Sequence, residues 1–305
     1  MRIEIIGPEA EKHLTWAGLI DALVAGHRLP RAEIGDTILY RRGDTLLTRS
    51  AWIDGMGLAV KSATIFPGNT GIGKPAVNGA VSLYADATGE CEALVDFHLV
   101  TKWKTAGDSL LAASRLARKN SREILLVGAG AVARSMVAAY RSVFAEARFT
   151  VWNRSLGAAE QMAAEVPGLR VAGDLEAAVR GADIIATATM ATQPLIKGDW
   201  LRAGTHLDLI GAFRPDMREV DDAALRRARI FVDARATTLD HIGELAIPLA
   251  AGVISRGDII ADFYDIAAGL YQRRSDAEIT ISKNGGGAHL DLMTSRYVLA
   301  AWRAR

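Results

Sequence analysis

The sequence predicts an α/β protein, with a doubly wound parallel sheet in the second part of the chain and a separate α+β part around it. Three observations predict this. From Arg122 onward, short apolar runs alternate with segments of helical spacing, as parallel strands joined by crossover helices require. From about Ile34 to Asp96 the apolar runs follow one another with only tight turns between them, as in an antiparallel sheet. The run "EILLVGAGAVA" ends in glycines where a strand would meet a helix.

Each element has its own justification. "MRIEIIGPEAEKHLTWAGLIDALVAGHR" reads as a short strand and an amphipathic helix. "DTILYRRGDTLLTRSAWI" reads as two strands around Arg42-Gly43-Asp44, and "MGLAVKSATIF" as a third. "GAVSLYADATGECEALVDF" gives two more around Ala87-Thr88-Gly89, and "HLVTKWKTAGDSLLAASRLARK" has helical spacing. Then come strand "EILLVGAG", helix "VARSMVAAYRSVF", strand "RFTVWN" and helix "LGAAEQMAAEV". "ADIIATAT", "THLDLIGA" and "RIFVDA" are further strands. Helices are expected near 243–251 and 262–271, followed by strand "EITISK" and a last helix in "GGGAHLDLMTSRYVLAAWRA".

The chain has 305 residues, near the upper size for one hydrophobic core, so one or two domains are expected. Half the residues are hydrophobic and 23% are charged, the composition of a globular protein. A net charge of +1 with no basic block argues against a general nucleic-acid surface. No apolar stretch approaches a membrane span, and the N-terminus has no cleavage-like pattern, so a cytoplasmic protein is expected. Cys91, the only cysteine, excludes an internal disulfide and fits a reducing compartment. No His/Asp/Glu spacing argues for a metal, and no Gly-x-Ser-x-Gly motif argues for a serine nucleophile.

Gly128-Ala129-Gly130-Ala131-Val132-Ala133 fits G-x-G-x-x-A. Glycines there allow a tight turn and let the backbone approach a pyrophosphate, while the helix N-terminus offers free N–H groups. A close-packed turn with no ligand would share the spacing, but the strand before and helix after favour a dinucleotide site. Gly128, Gly130, Ala131 and Val132 are therefore expected cofactor contacts. An NAD site usually ends its second strand with an acid that binds the ribose hydroxyls. Asn153, Arg154 and Ser155 stand there instead, and a guanidinium suits a 2′-phosphate. NADP(H) is expected, with NAD(H) as the second candidate. Thr187, Ala188 and Thr189, at the end of a parallel strand, sit where further cofactor contacts belong.

Several stretches together resemble the ornithine cyclodeaminase/mu-crystallin family: "GLAVKSATIFPGN", "GKPAVNGAVSLYADATGECEALVD", "LVTKWKTA", "LLVGAGAVA", "VWNRS", "GTHLDLIGAFRPDMREVD" and "ITISKNGGGAHLDL". The resemblance implies a Rossmann-type domain over 119–285. It also implies a substrate-binding and dimerisation domain from 1–118 and 286–305, a homodimer, and an active site between the domains. Lys61 resembles the family lysine that holds the substrate carboxylate. Lys104 stands where the family has an arginine, which keeps charge but loses bidentate geometry. Arg31 is a third cationic candidate, and Arg49-Ser50-Ala51 replaces the family's Met-Pro-Ala. Ile210 and Gly211 resemble backbone contacts on the nicotinamide side, and Asn284 and Gly285 are expected near the same ring. Asp291 reads as a complement to the dipole of the last helix. His289 reads as structural, with a proton donor as the alternative.

In the family's cyclodeaminases an aspartate follows the Gly-Gly or Gly-Ala pair and is expected to act as a base toward the substrate amine. Here that position is Phe213. Ornithine cyclisation begins by oxidising an amine, which needs proton traffic that a phenyl ring does not provide. A cyclic imine can arrive protonated and accept hydride without an enzyme acid, and an apolar wall beside its ring is then useful. Lys61 and Phe213 are thus the catalytic candidates. The expected function is NADPH-dependent reduction of a small cyclic imino acid, such as Δ1-pyrroline-2-carboxylate to proline. The alternatives are ornithine cyclodeaminase, releasing proline and ammonia, and a non-catalytic NADPH- or small-ligand-binding protein. Phe213 turned into the core, with another acid in its place, is the competing reading of that residue.

Overall fold

In the computed structural model, which describes residues 3–305, the chain divides into two units. One runs to Lys104 and takes back Gly287–Arg305; the other is Thr105–Gly286. The boundary expected after residue 118 follows the end of a helix, Phe97–Leu116, whereas this division falls inside it.

The chain begins with β1 (Glu4–Ile6), α1 (Trp16–Gly26), β2 (Glu33–Arg41), β3 (Asp44–Ile53), β4 (Gly57–Ile65), β5 (Val77–Tyr84) and β6 (Cys91–Asp96). Helix α2 (Phe97–Leu116) leads to β7 (Glu123–Val127), α3 (Ala131–Arg141), β8 (Arg148–Trp152), α4 (Leu156–Glu165), β9 (Leu169–Val171) and α5 (Leu175–Gly181). There follow β10 (Ile184–Thr187), β11 (His206–Leu209), α6 (Asp222–Arg227), β12 (Ala228–Val232), α7 (Arg235–Thr238) and α8 (Gly243–Ala250). The last elements are β13 (Ile259–Ala261), β14 (Ile279–Lys283) and α9 (Ala288–Arg303).

The first unit carries a sheet in the order β1-β6-β5-β4-β3-β2, antiparallel from β6 to β2. The β2–β3 turn has φ of 51° at Arg42 and 87° at Gly43, the left-handed pair that matches strand twist. Along β4 burial alternates, with Ala59, Lys61 and Ala63 turned inward. Helix α9 packs on β3 and β4 and on α1. Thr15 starts α1, its side chain accepting from the Gly18 N–H at 3.1 Å.

The second unit carries a parallel sheet in the order β13-β12-β14-β11-β10-β7-β8-β9. The chain leaves β7 toward β8 and β9, then returns to β10 on the other side of β7. The β7/β10 boundary is therefore the topological switch point, where such sheets bind ligands at the strands' C-terminal ends. Leu125, Val127, Ile185, Leu207, Leu209 and Ile281 are all buried, since both faces of the sheet are covered.

The short elements β9 and α5 were not expected; three residues of strand carry no measurable period. The helix expected over 262–271 is absent. Its place is taken by a 3-10 turn at Phe263–Asp265, and Gly269 adopts φ 71°. Phe263 and Tyr271 are both buried, with ring centroids 5.0 Å apart, so the apolar residues that mimicked a helical face fold onto each other.

Candidate active site

Gly128 ends β7 with φ 112°, and a Cβ on it would lie 2.6 Å from the Ala188 carbonyl oxygen. Only glycine allows that approach at the switch point. Gly130 is the N-cap of α3 in extended backbone, and nothing lies within 4 Å of where its Cβ would be. A cradle is thus open at a helix N-terminus, where the first-turn residues Ala131 and Val132 are exposed and half-buried. Gly128, Gly130, Asn153, Arg154, Ser155, Ala188 and Thr189 line one cavity of about 280 Å³. The donor set and open space fit a dinucleotide. Asn153 Nδ2 donates to the Ser155 carbonyl at 2.9 Å and holds the turn. Arg154 is exposed and makes no hydrogen bond or ion pair among the described residues. A larger hollow of about 570 Å³ borders Glu123 and Arg170, but those two groups are paired with each other at 2.7 Å, and the helix N-terminus at its rim is already capped by Asp174, which accepts from the Ala177 N–H at 2.7 Å.

Thr187 is not among the residues that line this cavity. It is fully buried, and its hydroxyl donates to Glu219 Oε2 at 2.7 Å. Glu219, which the sequence did not single out, joins the ends of β10 and β11. Its Oε1 accepts from the Thr189 N–H (2.8 Å) and hydroxyl (2.7 Å), and its Oε2 accepts from the Gly211 N–H at 2.8 Å. A Cβ on Gly211 would lie 2.1 Å from the Thr189 carbonyl oxygen, so this junction too requires glycine. Ile210 is half-buried beside it. Asn284 is nearly buried; its Nδ2 donates to Ser109 Oγ at 2.7 Å. Gly285 donates its N–H to Asp233 Oδ2 at 2.8 Å. Phe213 is 59% exposed just beyond β11, with the Arg214 guanidinium 5.7 Å from its ring centroid, so it is not a core residue.

In the first unit, Lys61 is buried on β4 and donates to Thr101 Oγ1 at 2.8 Å and to Asp291 Oδ1 at 2.9 Å. An ammonium has three N–H donors, so one is left for another acceptor. Asp291 is therefore not a simple partner of the helix dipole. It is a buried carboxylate ion-paired with Lys61. Burial pushes its carboxyl up, but Lys61 and then Lys104 outweigh that and hold it below its ordinary range. Burial lowers the Lys61 pKa; Asp291 opposes this, while Lys104 and Arg49 add to it. Arg49 lies directly across from Lys61 in the β3–β4 register, on the same face, and chelates Asp36 of β2 at 2.9–3.2 Å. Lys104 is buried on α2. Lys61, Lys104 and Arg49 thus place three cationic side chains in one part of this unit, whose charges act together on Asp291. Arg31 is exposed ahead of β2. His289 is fully buried against His27, and burial, then the charges of His27 and Lys104, hold its pKa well below 6.5. Those same causes disfavour its protonated form.

The ion pairs of Asp291 and Arg49, two residues already singled out for other reasons, left a trace in the sequence. Asp291 sits among Leu290, Leu292 and Met293, and an acid in so apolar a helix turn needs a charged partner. Arg49 is an arginine inside a strand. Glu219 left none, because only the fold carries "MREVD" back under the strand ends.

A model of the ornithine cyclodeaminase/mu-crystallin family matches residues 49–305. The Δ(1)-pyrroline-2-carboxylate reductase of Paracoccus denitrificans (strain Pd 1222) is 48% identical over 296 residues, covering 95% of this chain and 94% of that protein. Thermococcus litoralis Δ(1)-pyrroline-2-carboxylate reductase, solved in complex with NADH and L-proline, superposes with a TM-score of 0.90 at 27% identity, covering 99% of this chain and 98% of that one. An archaeal alanine dehydrogenase dimer with bound NAD gives 0.89 at 28% identity, over 100% of this chain and 97% of that one.

Proposed function

The chain belongs to the ornithine cyclodeaminase/mu-crystallin family, and we propose that it is an NADPH-dependent reductase of a small cyclic α-imino acid, with Δ1-pyrroline-2-carboxylate and proline as the first substrate and product to test. One observation carries this reading: the position just beyond β11 holds an exposed phenylalanine and no acid. The amine step of a cyclodeaminase needs a base there; a protonated imine does not. The similarity to Δ(1)-pyrroline-2-carboxylate reductases supports the same reaction.

The bound nicotinamide would supply the hydride. The chain's own residues do the rest. Gly128 and Gly130 leave room for the pyrophosphate, and the first-turn N–H groups of α3 hold it. Arg154, unpaired among the described residues, is available to a 2′-phosphate, and Asn153 and Ser155 shape that turn. The two solved relatives hold NADH and NAD, so a preference for NADPH would be a property of this triplet. The third donor of Lys61, with Lys104 and Arg49 beside it, binds the substrate carboxylate. Arg49 restores a planar guanidinium that the Lys104 position lacks. Phe213 offers an apolar wall and excludes water.

We further infer a homodimer. β2 is the edge strand of its sheet, and Ile34, Ile38, Leu39 and Tyr40 on it are exposed. An unprotected apolar edge of this kind is a pairing surface, and the archaeal relative is a dimer. No helix among the described residues is long and apolar enough to cross a membrane. A reducing, cytoplasmic setting suits a chain whose one cysteine, Cys91, is free.

The experiment is NADPH consumption against a panel of five- and six-membered cyclic imino acids, with ornithine plus NAD as the control. Turnover of an imine without release of ammonia from ornithine is the expected result. Ornithine turnover as efficient as imine reduction would select the cyclodeaminase. Binding of NADPH with no turnover of any imine would select a non-catalytic binder.

A further inference from the structure

With Arg154 beyond β8 taken as the adenosine side of the cradle, the other half of a dinucleotide would lie across the switch point, toward the ends of β10 and β11. Buried ionic side chains stitch those strand ends together. Glu219 joins β10 to β11 through Thr187, Thr189 and Gly211. Lys283 Nζ joins β11 to the turn after β14, donating to the carbonyls of Leu209 (2.8 Å) and Asn284 (2.7 Å). Asp233 Oδ2 joins the end of β12 to the same turn, accepting from the Gly285 and Gly286 N–H groups at 2.8 Å each. Glu244 holds Glu219 from behind, accepting its backbone N–H at 2.7 Å and that of Val220 at 3.1 Å. All four side chains are buried, three of them carboxyls.

Every partner of the Glu219 side chain is a donor, so the site is built for a carboxylate. A glutamine would turn its amide N–H toward the backbone N–H of either Thr189 or Gly211, whichever way it faced. The approach is also close: a Cβ on Gly211 would lie 2.4 Å from Glu219 Oε1. Hydride donation would leave one positive charge on a nicotinamide ring, and a fixed negative charge at the ends of β10 and β11 would stabilise that charge without reorganising.

Resting on the cofactor reading above, we propose that Glu219 is the positioning residue for the nicotinamide end, and that its buried charge favours the oxidised, cationic cofactor over the reduced one. The test compares dissociation constants for NADP+ and NADPH, by fluorescence titration, in the unaltered protein, Glu219→Gln and Thr187→Val. Glu219→Gln should weaken the oxidised form relative to the reduced form by about tenfold, equivalent to about 1.4 kcal/mol. Thr187→Val removes one hydrogen bond to Glu219 but keeps its charge, and should leave the ratio unchanged. Equal weakening of both forms by Glu219→Gln would reduce the residue to a scaffold and overturn the proposal. If Glu219→Gln does not fold, Glu244→Gln measured at pH 9, where the Glu244 carboxyl is ionised, removes a negative charge from the same cluster and should shift the ratio the same way, by about threefold; an unmoved ratio at that pH overturns it equally. An unaltered protein that binds neither form would overturn the cofactor reading and this proposal together. An unaltered protein that binds both, with a ratio indifferent to these variants, would overturn this proposal alone.

Discussion

Lys61 Nζ lies 2.9 Å from Asp291 Oδ1, joining a strand near one end of the chain to a helix near the other, with both side chains out of water. Such a pair is costly to break from one side, because the remaining charge stays buried. Lys61→Met should therefore destabilise the protein by roughly 3–5 kcal/mol, the range for an orphaned buried charge, with Lys104 and Arg49 moderating the loss. The double variant Lys61→Met/Asp291→Leu should recover part of it in urea melts. Lys61→Met should also raise KM for the imino acid and leave the NADPH dissociation constant nearly unchanged. A collapse of NADPH affinity with KM intact would remove Lys61 from the carboxylate site.

The two cradle glycines make opposite predictions about folding. Gly130→Ala meets open space in a backbone conformation that any residue adopts, so the melting temperature should hold while dinucleotide affinity drops by at least about tenfold as the methyl enters the cradle. Gly128→Ala forces φ 112° and a 2.6 Å approach to Ala188, and should lower the melting temperature as well. Gly130→Ala with full affinity would mean that the cradle holds no phosphate.

These contrasts show where the sequence was readable. The cradle was legible because strand, glycines and helix are contiguous, and a local turn has a local signature. The β2–β3 and β5–β6 hairpins were legible for the same reason. Lys61 was legible through the family resemblance of "AVKS", but its partner Asp291 lies in the final helix and no spacing rule connects them. Glu219 was hidden further, since its role is defined by backbone N–H groups of two other strands. The false helix at 262–271 arose from apolar spacing alone, which Gly269 and the Phe263–Tyr271 contact overrule.

Arg154 is exposed and unpaired among the described residues, so its removal should cost the fold little. Arg154→Ala should weaken NADPH by roughly 1.5–3 kcal/mol, the value of a charge-assisted hydrogen bond, and leave NADH binding as it was. Isothermal titration with both cofactors decides this. Equal or tighter binding of NADH by the unaltered protein would end the preference for NADPH.

Glu244 sets a pH dependence of stability. Burial, then the charge of Glu219, pushes its carboxyl from 4.5 up to about 7, against the pull of Lys283. Between those values the unfolded chain has released this proton and the folded one has kept it. The folded state therefore binds more protons, and stability falls as pH rises from about 4.5 to about 7, by roughly 3 kcal/mol. Above that range both states are ionised and this contribution ends. Glu244→Gln should flatten the slope of unfolding free energy in urea at pH 5, 6 and 7; a slope identical to that of the unaltered protein would show that another group governs it.

Phe213 tests the reaction itself. Because the ring is exposed and no core packing depends on it, substitution should leave the fold intact, which separates chemistry from stability. Phe213→Leu keeps an apolar wall and should retain most of the imine reduction. Phe213→Asp places a charged carboxylate where the reading requires a dry surface, so kcat for the imine should fall by at least about tenfold as the hydride path is opened to water. The same variant supplies the base that amine oxidation needs, and ammonia release from ornithine should rise from an undetectable level. The unaltered protein decides between the two chemistries: ornithine with NAD or NADP, with proline and ammonia both measured. Efficient release of both would mean that a base elsewhere serves the amine, and that the exposed phenyl ring at 213 does not mark a reductase.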